Sequence, residues 1–334
     1  MAKHLKDTDY SKTIAKIRVF EKHMLSRQTL EKMCESRHLD EIYKTLADAN
    51  WHFSYEEKEP SKILADQQQW VFEFLREAVE EENLLKLLLL NTDYQNIKAF
   101  LKQELAGNPI HGELFLEGGT IPVPALVKSL TEREQGALTK RMFAAFLRAR
   151  DEFLEKQDPQ RIDLILDEAY ILEILEHAEA FENAFILRYL RAQIDIVNIK
   201  TLLRIRKISE EPAKLREVFL KGGSIGLDRL EAQLTASPEE CKAFLLTTEI
   251  GAKLSAQLED FFKESSITAL EKGMDDLLIE QLKPARFIMF GPEPIFIYAK
   301  YMENEIRSVR IVMNGILSGL SPQSIRERLR LTYA

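Results

Sequence analysis

Glu173, Glu176, His177 and Glu182 are residue types that bind divalent metals, and they fall within one stretch of helical pattern. Carboxylate metal sites in helical bundles place a Glu and a His three residues apart on one face, and supply that pair twice. Here Glu173 and His177 are four apart and no second copy exists, so a solvated acidic face is the expectation. Asp275 and Asp276 form a similarly isolated acidic pair and read as surface. The paired glycines Gly118-Gly119 and Gly222-Gly223 suggest a phosphate loop, but both lack the GxxxxGK(S/T) spacing and the strand such a loop follows. Helix capping by a left-handed glycine, then a turn, is the simpler reading. Neither Cys34 nor Cys241 stands in a Cys-His signature, no G-x-S-x-G elbow is present, and the six histidines, including His23, His38 and His52, lack zinc spacing. No catalytic, cofactor-binding or metal-binding residue is therefore expected.

One polar pattern does recur. Asp93, Asn96, Ile97, Lys98 and Leu101 return about 100 residues later as Asp195, Asn198, Ile199, Lys200 and Leu203. Phe115-Leu116 with Gly118, Gly119 and Ile121 returns at a similar offset as Phe219-Leu220 with Gly222, Gly223 and Ile225. Asp and Asn compete with the helix backbone for hydrogen bonds. Their recurrence, with a lysine five positions after the acid, points to a repeated polar bond fixing one helix against the next turn or helix. Asp93, Asn96, Lys98, Gly118, Gly119, Asp195, Asn198, Lys200, Gly222 and Gly223 are thus expected to be framework. Glu305 to Arg310 matches a third time, more loosely, and Ile14 to Met33 resembles the second part of one unit.

A period near 100 residues exceeds that of the common solenoids and suits a small helical domain. Three related domains are expected, over roughly 10–110, 111–213 and 214–334, with the two terminal segments completing one domain together. The fold class is all-α, since β-branched alternation is absent and helix starts are many. Thr131 with Glu134 and Ser237 with Glu240 have capping-box spacing, and Asp158-Pro159 and Ser321-Pro322 repeat a cap-then-proline pattern. The stretches 61–106 and 159–208 are long enough to fold back as hairpins, with Asn91-Thr92-Asp93 a candidate bend. Near the end, Gly291-Pro292-Glu293-Pro294 opens a turn whose prolines forbid regular helix between them. Ile295, Tyr298, Met302, Ile306, Val309, Val312, Met313 and Ile316 then recur every three or four positions, giving one buried helix face. Glu303, Glu305, Arg307 and Arg310 are spaced for ion pairs.

That last segment resembles the C-terminal signature of the C (AC39-like) subunits of the A/V-type ATP synthases, the family that includes the d-type subunit of V-ATPases. The resemblance rests on Pro294, Tyr298, Glu303, Glu305, Ile306, Arg307, Arg310, Gly319-Leu320 and the basic tail from Arg326 to Arg330. Many members have Ala-Lys before the first glutamate, where this chain has Tyr301-Met302. The resemblance implies an all-helical funnel of three similar domains with approximate threefold pseudo-symmetry. It implies a non-catalytic rotor adaptor joining central-shaft subunits of the D and F type to the membrane ring of proteolipid subunits, at the cytoplasmic face.

Composition agrees with a globular protein of this kind. Charged residues make up 30% and hydrophobic ones 45% of 334, which is a foldable balance. A formal charge of −8 argues against nucleic acid as partner. The charge is polarised: 151–182 carries eleven acidic residues, whereas the chain from Lys283 onward is net basic. Two distant cysteines fit a reducing compartment, residues 1–12 lack the apolar core of a leader, and no apolar run reaches membrane-spanning length. An unrelated helical scaffold, or a metal-dependent bundle enzyme with two facing acidic motifs, would be the alternatives.

Overall fold

The computed structural model describes residues 6–56, 58–208, 211–264 and 267–333; the first five, which enter the reading against a leader, lie outside that set. The fold is all-α, with seventeen α-helices, four short 3-10 turns and no strand among the described residues. The chain divides into two compact units, one of residues 1–96, 110–137 and 282–334, the other of 97–109 and 138–281. The division falls inside helix Glu82–Leu105.

In the first unit, helices Ser11–Phe20, Arg27–Met33, Leu39–Asp48, Pro60–Ala78 and Pro322–Arg328 pack on Glu293–Leu317. That helix is buried on most of its circumference rather than on one face. Phe296, Ile297, Ala299 and Tyr301 are as buried as the residues that carry the apolar spacing, and only a stripe through Glu303, Arg307, Arg310, Asn314 and Leu317 is exposed. Surrounding helices on several sides, not period alone, set this pattern. The helix also starts between the two prolines. Pro292 caps it and Pro294 sits in the first turn, where a missing N–H removes no intrahelical bond. Gly319 ends it with φ of 66°, the Gly319 amide donating to Ile316 and the Leu320 amide to Gly315. This is the paired reverse bonding of a Schellman motif. Leu30, Met33, Ile42, Leu46 and Trp51 share one apolar core with Val309, Val312, Met313, Ile325 and Leu329, so the two ends of the chain are folded together.

In the second unit, Lys140–Lys156 and Gln160–Phe181 form an antiparallel pair across a short turn. A core of Ile199, Leu202, Leu230, Cys241, Leu245, Leu258 and Met274 gathers the helices that follow.

Several local expectations need correction. Asn91-Thr92-Asp93 is mid-helix, and the chain instead turns between Ala78 and Glu82. Side chains that bond their own helix backbone can bend it, but Asp93 turns its carboxylate to another segment instead. The second hairpin bends at Glu182, left-handed at φ of 57°, with Asn183 capping the next helix. Thr131 starts no helix but ends Val123–Glu132, and the cap falls to Thr139, whose hydroxyl accepts the Met142 amide. The Ser237–Glu240 capping box and the Ser321 cap are both formed.

Candidate functional site

Two polar clasps explain the repeat. In the first, Asp93 Oδ2 accepts the Thr120 amide at 2.8 Å together with the Thr120 hydroxyl, and Oδ1 accepts the Ile121 amide at 3.1 Å. One turn on, Asn96 pairs twice with Leu116, donating to its carbonyl at 2.9 Å and accepting its amide at 2.8 Å. In the second, Asp195 accepts the Ser224 amide at 3.0 Å, the Ser224 hydroxyl and the Ile225 amide at 3.1 Å. Asn198 likewise pairs with the Leu220 carbonyl at 2.8 Å and amide at 2.9 Å. A side chain that satisfies a loop's backbone lets that loop lie against a buried helix face without orphaned polar groups.

The glycines belong to these clasps and cap no helix. A Cβ on Gly119 would fall on the Asp93 carboxylate, and one on Gly223 on that of Asp195. Gly118 and Gly222 add positive φ values of 94° and 103° and lie against Phe72 and Leu175. The need is close backbone approach, which the paired glycines alone permit. Arg76, not singled out in the sequence, adds a bond to the Gly119 carbonyl.

The lysines of the pattern serve another purpose. Lys98 reaches Asp167 at 2.6 Å, and Lys200 reaches Asp275 at 2.8 Å. Asp275 is thus a half-buried ion-pair partner rather than simple surface. Nor is the acidic run a plain solvated face. Glu173 is 5% exposed and accepts the Thr139 hydroxyl at 3.2 Å, Arg141 pairs with Glu176, and Arg161 with Glu152. Among the described residues no three His, Cys, Asp or Glu side chains converge as a metal site.

The charges of the C-terminal signature separate. Glu303 is exposed and pairs with Lys300 at 3.0 Å, while Arg307 and Arg310 line a groove floored by Val71, Phe72, Leu88 and Ile306. Glu305 turns inward, 6% exposed, and accepts the Leu25 amide at 2.7 Å and the Trp51 indole N–H at 3.0 Å. Burial without a cation raises its carboxyl to about 7, against the lowering effect of those two donors. Burial likewise lifts Asp93 to about 6. Leu25 precedes the cap of Arg27–Met33 much as Ile121 precedes that of Val123–Glu132, so Glu305 closes a third clasp between the chain's two ends. Pro294 and Tyr298 are buried in the same helix.

A feature the sequence reading passed over lies just before this helix. Phe287, Met289 and Phe290 are 86%, 72% and 53% exposed. The loop bearing them is tied down: Arg18 donates to the carbonyls of Arg286 and Ile288 at 2.8 and 2.9 Å, and the Gly291 amide donates to Asp7. The apolar run Phe287-Ile288-Met289-Phe290 between Pro284 and Gly291 is too short for a buried helix, which was the available signal.

Residues 13–328 match the ATP synthase (C/AC39) subunit family. The V-type sodium ATPase C subunit of Enterococcus hirae is 23% identical, over 95% of this chain and 97% of its own length. The A-type ATP synthase C subunits of Desulfurococcus sp. and Thermococcus kodakarensis are 26% and 25% identical, each over 96% of this chain and 91% and 90% of their own. No helix among the described residues is long and apolar enough to cross a membrane.

Proposed function

This chain belongs to the ATP synthase (C/AC39) subunit family, and on that premise we propose that it is the rotor adaptor holding the central shaft on the membrane ring. As a family member it is a non-catalytic subunit of a rotary ATPase, which sets aside the unrelated scaffold and the metal-dependent bundle enzyme. Its partners are the D- and F-type shaft subunits and the proteolipid ring, and it sits peripherally at the cytoplasmic face. The three clasped repeats correspond to three similar domains in a funnel, the third built from both chain ends.

The observation that carries this reading is the family match along nearly the whole chain, together with relatives matched over nine-tenths or more of their own length. The anchored loop of Phe287, Met289 and Phe290 supports it and marks one contact surface, because exposed apolar side chains held rigidly favour docking. A rotor adaptor must transmit torque, and clasps that tie loops to helices by several hydrogen bonds suit that load.

Immobilised full-length chain is expected to capture purified shaft subunits and detergent-solubilised ring, and to hydrolyse no ATP by itself. Capture of neither partner, or ATP turnover by the pure chain, would overturn the proposal.

A further inference from the structure

We propose that the cavity beside Glu305 binds a primary alkylammonium group. The cavity measures about 180 Å3, which excludes cofactor-sized ligands. Phe20, Trp51, Trp70 and Tyr298 contribute to its wall, with Met24, Met302 and Glu305. Phe20 lies 5.1 Å from Trp70 and 6.1 Å from Tyr298 between centroids, so these rings form one connected set. Aromatic faces attract cations, most strongly where water is excluded.

The other two clasps show why a donor is wanted here. Asp93 and Asp195 each accept two amides and one hydroxyl, the hydroxyl coming from Thr120 or Ser224. Glu305 accepts only an amide and an indole N–H. The residue before Leu25, where the other clasps have Thr120 and Ser224, is Met24, whose thioether donates nothing. Glu305 therefore keeps acceptor capacity, and it lines the same cavity as Met24. No described lysine or arginine pairs with it. An ammonium supplies both the missing N–H donors and the absent counter-charge, while its methylenes fit the methionine and ring surfaces. The group could come from a free amine or from the lysine side chain of another protein. This inference is independent of the rotor assignment.

The chain's two tryptophans are Trp51 and Trp70, and both line this cavity, so intrinsic fluorescence reports on it. Full-length protein at pH 8 and constant ionic strength is titrated with butylamine, with Nα-acetyl-lysine amide and with 1-butanol. A saturable change with butylamine and not with butanol supports the proposal. A matching response to the lysine amide assigns the site to a protein lysine, and none assigns it to free amines. Glu305→Gln should weaken butylamine binding about tenfold or more. Met24→Thr, which restores the hydroxyl of the other clasps, should weaken it too while the thermal melt stays cooperative. No saturable response to either amine, an equal response to butanol, or unchanged affinity in both variants would overturn it.

Discussion

A buried carboxylate needs donors around it, and Asp93, Asp195 and Glu305 are met by backbone amides, with the Arg76 charge also acting on Asp93. For Glu305 the two donors do not offset desolvation, so the folded state holds its proton more tightly than the unfolded chain does. Stability from this group is fully present below its ordinary value of 4.5 and is lost as pH rises through about 7. The integrated effect is on the order of 3 kcal/mol, and Asp93, raised to about 6, acts in the same direction. Urea midpoints should accordingly fall between pH 5 and pH 8, and Glu305→Gln should flatten that slope. A midpoint that rises over this range would refute the assignment. The glycines give a second residue-scale prediction. Gly119→Ala and Gly223→Ala each drive a methyl into a clasp carboxylate and should lower stability by about 1–3 kcal/mol in denaturant titrations. Gly112→Ala, with nothing near its Cβ position, is the neutral control.

At the scale of elements, two devices hold the C-terminal helix in register. Its end is fixed by the Gly319 Schellman motif, so Gly319→Ala, forced to a positive φ, should cost about 1 kcal/mol by thermal melt. Its entry is fixed by Arg18, which bonds two carbonyls of the preceding loop and a carboxylate, Glu21, at 2.8 Å. Arg18→Ala removes those ties without opening the apolar core. Limited proteolysis should then cleave near Phe287 to Phe290 faster than in the parent, with the melt little changed. Equal cleavage rates would mean that the loop is held by something other than the guanidinium.

For the whole molecule, the test is whether the anchored loop is a contact surface. Replacing Phe287, Met289 and Phe290 together by serine removes apolar area already exposed, so the fold should keep its melting temperature. If these side chains anchor a partner, capture of that partner should fall by at least about tenfold, as central apolar anchors dominate binding energy. Undiminished capture of both shaft and ring would place the interface elsewhere, for instance at the groove of Arg307 and Arg310.

Sequence alone determined the helical class, the signature segment and the equivalence of Asp93 and Asp195 as repeat positions, because each is written in local spacing or in a repeated string. It also marked Gly118-Gly119 and Gly222-Gly223 as special: the positive φ of Gly118 and Gly222 agrees with the left-handed reading, but they cap no helix, and Gly119 and Gly223 serve close approach instead. A glycine needed for a left-handed turn and one needed for close approach look alike until the approaching carboxylate is seen. The charges of Glu303, Glu305, Arg307 and Arg310 were indistinguishable by spacing. Only packing of the N-terminal segment, through Leu25 and Trp51, turned Glu305 inward and left the others outside. Long-range pairing decides such burial, since a helix's exposed stripe depends on how many neighbours surround it, and those neighbours come from the opposite end of the chain.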